Sequence, residues 1–81
     1  MQRKHMKTLD AIMRADGNVD LRKVEALIVE AGGYIEDRGN GFYRARLNER
    51  RLAYDRPHPR KEIGRGLAKR FREFFKEAGV E

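Results

Sequence analysis

Two histidines, no cysteine and no serine narrow the chemistry open to this 81-residue chain. Serine- or cysteine-type nucleophilic catalysis and thiolate metal sites are excluded, and no glycine-rich phosphate loop of the P-loop type is present. Proton transfer by histidine stays open, a phosphodiester being one group on which it could act. Cleavage of RNA without a metal needs one group to take the proton of a 2′-hydroxyl and another to protonate the leaving 5′-oxygen. Cations must also stabilise the phosphorane between them. Histidine exchanges protons near neutral pH and is the natural candidate. In "YDRPHPRKEIGRG" (residues 54–66), His58 stands between Pro57 and Pro59, with Arg56, Arg60 and Lys61 close by to hold a phosphate. His58 is therefore the candidate acid–base residue. The plain alternative is a turn, a cap or a partner contact. His5 lies near the start of the chain, where fraying is expected to leave it a surface residue.

The charge balance points the same way. Nineteen Lys and Arg oppose thirteen Asp and Glu, a net charge of +6 with a calculated pI of about 10.1, which suits a polyanionic partner. Arginines 38, 44, 46, 50, 51 and 56 crowd one alternating stretch. The expected nucleic-acid contacts are Arg38, Asn40, Arg44, Arg46, Arg51, Arg56, Arg60 and Lys61. The "RGNG" turn could also bring backbone N–H groups to a phosphate, although such stretches more commonly just close hairpins.

The elements that must position these residues follow from the hydrophobic period. Met6, Leu9, Ile12 and Met13 recur at helical spacing between Arg3 and Ala15 and predict a first helix, stopped by "DGN" at residues 16–18. Asp20 caps a second, whose stripe is Leu21, Val24, Leu27, Ile28 and Ala31, ended by Gly32 and Gly33. The period then changes. "YIEDR", "FYRARL" and "RLAYDR" read as three strands of an antiparallel meander joined by "RGNG" and "NER", with the prolines closing the third. Tyr43, Ala45, Leu47, Leu52 and Tyr54 face inward on this register, which leaves Arg44, Arg46, Arg51 and Asp55 on the other face. A last helix from about Ile63 buries Leu67, Phe71, Phe74, Phe75 and Ala78 and stops at Gly79. The phenylalanines are thus core residues rather than base-stacking groups. The expected architecture is a single α+β domain of order α-α-β-β-β-α, with one sheet face under the second and last helices and the other free. No segment of "MQRKHMKTLD" or beyond has the apolar length of a signal or a membrane span, so a cytoplasmic location is expected, with no membrane partner.

Four stretches in this order resemble the HicA family of toxins, the RNA-cleaving partners of HicB antitoxins. They are "LRKVEALIVEAGGYIEDRGNG", the alternating hairpin, "RPHPRKEIGRG" and "LAKRFREFFKEAGV". Together they cover about sixty of the 81 residues. The resemblance makes residues 19–81 the family core and 1–18 an extra N-terminal helix. It implies a fold like a double-stranded-RNA-binding domain and endoribonuclease activity on messenger RNA without metal or other cofactor. It also implies neutralisation by a HicB-like antitoxin. One departure bears on catalysis. Such toxins usually carry glycine, serine and a catalytic histidine in the first hairpin turn, and the matching positions here are Gly39, Asn40 and Gly41. The alternative expectation is therefore a catalytically inactive module of the same fold that binds RNA or DNA.

Overall fold

The computed structural model describes residues 1–56 and 60–80. Three helices and three strands follow in the order α1 (Arg3–Met13), α2 (Leu21–Glu30), β1 (Tyr34–Gly39), β2 (Phe42–Leu47), β3 (Arg50–Asp55) and α3 (Gly64–Glu77). The strands form one antiparallel sheet of order β1-β2-β3, so the protein is α+β. Both connections are two-residue turns of the kind whose twist matches paired strands. Asn40 and Gly41 take φ of 57° and 77° in the first, and Asn48 and Glu49 take 49° and 69° in the second. The register places Ile35, Ala45 and Leu52 abreast, then Tyr43 opposite Tyr54. Those side chains point to the helices.

α2 covers β1 and β2, α3 covers β3, and α1 packs against both helices without touching a strand. The first helix thus closes the gap between α2 and α3, and Ile12 at 0% exposure belongs to the same core as Val24, Leu27, Ile28, Phe71 and Phe75. Of the expected stripe on α1, Ile12 is buried and Leu9 and Met13 pack against the core, but Met6 does not. His5, Thr8 and Ile12 are buried, while Met6 is 58% exposed. Because α1 meets two helices at once, it buries a wider face that adds His5 and Thr8 to Ile12. His5 is accordingly a buried residue of a formed helix, not a frayed surface one.

Local chemistry fixes the joints. Asp20 caps α2 by accepting from the Arg22 amide at 2.9 Å. The chain before α2 runs against the chain before α3, with the Gly64 amide donating to Gly17 O and the Ile63 amide to Val19 O. A side chain at Gly17 would lie 2.5 Å from the Arg65 nitrogen, so the glycine of "DGN" permits this crossing. At the far end, Asn48 Nδ2 donates to Ala78 O at 2.8 Å and ties the second hairpin to the end of α3. No described helix is long and apolar enough to cross a membrane.

Candidate nucleic-acid interface

The sheet's free face presents the side chains that alternate with the core set. On β2 these are Phe42, Arg44 and Arg46; on β3, opposite them, Asp55, Ala53 and Arg51; on β1, Glu36 opposite Arg44 and Tyr34 opposite Arg46. Three of the expected contacts, Arg44, Arg46 and Arg51, are therefore brought together. Two exposed aromatic rings join them, Tyr34 at 53% and Phe42 at 45% exposure. From strand rise and spacing their backbone positions lie about 14 Å apart. Phe42 carries the same signal as the arginines, since it lies two residues before Arg44 on the alternating strand.

Glu36 sits in the middle of this face. Its Oε1 accepts from Arg44 Nε at 2.8 Å and lies 3.8 Å from Arg46 Nη1. The Arg44 hydrogen bond holds the Glu36 carboxyl below the usual carboxylate range, and the charges of Arg44, Arg46 and Arg38 act in the same direction. The carboxylate orients two guanidinium groups and offsets part of their charge. Arg38 and Asn40 are exposed beside this face at the β1-β2 end, where a register shift follows Asp37. Asp37 Oδ1 accepts from the Gly39 amide at 2.9 Å and shapes the entry to the turn.

The remaining expected contacts lie elsewhere. Arg56 belongs to the core side: its guanidinium binds both carboxylate oxygens of Glu25, at 2.9 and 3.3 Å, and lies 4.0 Å from the Tyr43 ring centroid. It is held by that ion pair and does not share the patch. Arg60 and Lys61 are exposed on the strip that crosses the start of α2, where Lys61 O accepts from the Leu21 amide. His58, Pro57 and Pro59 lie outside the described residues. Gly41, at the position where the resemblance expects histidine, has φ of 77° and open space around the point where a Cβ would stand. The left-handed second turn position favours glycine there, although Glu49 holds φ of 69° at the matching place in the second hairpin.

A polar trio, buried at Tyr54 and Glu25 and open to solvent at Arg56, escaped the sequence reading. The Tyr54 hydroxyl donates to Glu25 Oε2 at 2.7 Å beside the Arg56 pair. Its signal was Glu25 itself, four residues after Leu21 on the apolar stripe of α2, where a carboxylate needs a partner. With Tyr54 and Arg56 bonded to it, Glu25 is occupied as an acceptor and makes a structural link rather than a free general base. Among the described residues no cluster of His, Cys, Asp and Glu could hold a metal ion. The chain matches no family model, no curated protein and no solved structure.

Proposed function

We propose that this chain binds RNA across the free face of its sheet, as a HicA-like toxin whose HicB-like antitoxin covers the same surface. The observation that carries the reading is the conjunction of Tyr34 and Phe42 with Arg44, Arg46 and Arg51 on one uncovered face. Arginines neutralise phosphates without regard to sequence, and exposed rings stack on unpaired bases. An acidic antitoxin surface would complement both the patch and the +6 net charge.

Cleavage is the second part of the proposal and rests on the resemblance and on His58 among Arg56, Arg60 and Lys61. The turn conformation at Gly41 favours binding without cleavage by that turn. The deciding experiment mixes the pure chain with single-stranded RNA in EDTA, following anisotropy and strand integrity together, with DNA of equal length and His58→Ala alongside. Salt-dependent RNA binding supports the reading, and absence of binding at low salt overturns it. Cleavage lost in His58→Ala assigns the catalytic residue; intact RNA leaves the binding module.

A further inference from the structure

On the helical side of the molecule, away from the sheet, a cleft of about 610 Å³ opens between α1 and α2. This is the volume range of small-molecule sites. Its lining includes four cations, Lys4, Lys7, Arg22 and Lys23, against one carboxylate, Asp20. Asp20 Oδ1 is engaged as the α2 cap. His5 and Thr8 also line the cleft, at 7% and 6% exposure. The Thr8 hydroxyl donates to Lys4 O at 3.1 Å, which leaves its oxygen as an acceptor. The His5 ring has no hydrogen-bond partner among the described residues. No described side-chain nitrogen or oxygen is both sealed and unpartnered, so the ring nitrogens open onto the cleft.

The His5 ring is thus mostly buried while its nitrogens remain open to a ligand or water in the cleft. Four like charges around the same cleft repel one another, and an anion between them removes that repulsion. Beyond the cations the wall turns apolar at Ala11, Val19 and Ala26, with the Asn18 amide at its border. A strongly charged head and a flat, weakly polar body would meet both parts of this lining.

We propose that the α1-α2 cleft binds the phosphate monoester of a nucleotide, with His5 and the lysine rim on the phosphate and the small apolar side chains against the base. A free mononucleotide and the 5′-phosphorylated end of an oligonucleotide share this chemistry. The cleft shares no lining residue with the free face of the sheet. It therefore stands or falls separately from RNA binding on the other face.

The test is an NMR titration of the full chain at low salt with AMP, with adenosine, and with a short oligonucleotide bearing either a 5′-phosphate or a 5′-hydroxyl. AMP or the 5′-phosphorylated strand is expected to shift the His5 ring and the Thr8 and Ala26 amides, while adenosine and the 5′-hydroxyl strand leave them in place. Which of the two phosphorylated ligands binds tells a free nucleotide from an RNA end. Lys4→Gln and Lys23→Gln, both exposed positions that keep the fold, should each weaken binding by about fivefold to tenfold, and Arg46→Gln should not weaken it. Cleft resonances unmoved by every phosphorylated ligand at millimolar concentration, or moved equally by adenosine, would overturn the proposal.

Discussion

The Tyr54 hydroxyl donates to the Glu25 carboxylate at 2.7 Å and joins the last strand to the second helix across the core. Glu25 is 9% and Tyr54 2% exposed, and the Tyr54 ring meets Phe71 of α3 edge-on at 5.3 Å. One side chain thus joins β3 to both α2 and α3. Tyr54→Phe should cost about 1–2 kcal/mol in chemical denaturation. Glu25→Ala should cost about 2–3 kcal/mol, because it leaves a buried donor without an acceptor and Arg56 without its anion. A double-mutant cycle between the two positions should show coupling; additive losses would mean that the bond contributes nothing to stability.

The same bond sets an alkaline limit. Burial, and then the Glu25 hydrogen bond, push the Tyr54 phenol far above its ordinary range. A phenol whose folded value is raised supplies stability that is whole below its unfolded value near 10 and declines as the pH rises beyond it. Wild-type stability should therefore fall above about pH 10 more steeply than that of Tyr54→Phe, by up to about 1.4 kcal/mol per pH unit. Equal slopes in the two proteins would remove Tyr54 from the account.

On the free face of the sheet, aromatic and cationic variants should behave differently. Tyr34→Ala and Phe42→Ala should each weaken single-stranded RNA binding by about 1–3 kcal/mol, with little change in salt dependence, since stacking releases no counterions. Arg46→Gln should weaken binding and reduce the salt slope by about 0.7, the value for one phosphate contact to a single strand. Anisotropy titrations at several salt concentrations separate the two effects. Uniform affinity across the set would place any RNA site elsewhere.

How far the sequence carried this picture depends on the kind of contact involved. The order of elements, the hairpin turns and the inward row of Tyr43, Ala45 and Leu47 follow from period and turn chemistry, which are local properties. The outward Arg44 and Arg46 follow from the same alternation. Three features depend on tertiary packing instead. Arg56 looks like one more arginine of the meander until Glu25, 31 residues earlier, is brought beneath it. His5 becomes buried because α1 fills the groove between α2 and α3. Glu36 lies within the basic face through its pairing opposite Arg44, a register that the strand's own sequence leaves open.

Glu36 gives a prediction of unusual sign. Its carboxylate is paired with Arg44 and near Arg46, so it competes with any phosphate for those groups. Glu36→Gln should tighten RNA binding and steepen its salt dependence, because both guanidiniums become free to neutralise phosphate. The lowered carboxyl value requires that whatever stability the pair supplies be present above about pH 4.5 and lost as the pH falls through the folded value. Glu36→Gln should flatten that acid limb. Weaker RNA binding in this variant would show that the carboxylate orients the arginines for their ligand rather than competing with it.

The first hairpin allows structure and catalysis to be tested with a single substitution. Gly41 has φ of 77° with nothing within 4 Å of a would-be Cβ, so a larger side chain meets no steric obstacle and only backbone strain. Gly41→His should cost about 1–2 kcal/mol of stability, the usual penalty for a left-handed non-glycine residue. The imidazole would then stand in the turn next to Phe42 and within the arm of the basic face. RNA cleavage in EDTA by Gly41→His, with none by the parent, would show that this chain keeps the scaffold of a HicA-like toxin and lacks only the turn's proton-transfer group. Cleavage by the parent that disappears in His58→Ala would assign the chemistry to His58 and not to the first turn. If neither protein cuts while both bind, the fold serves here to grip RNA without hydrolysing it.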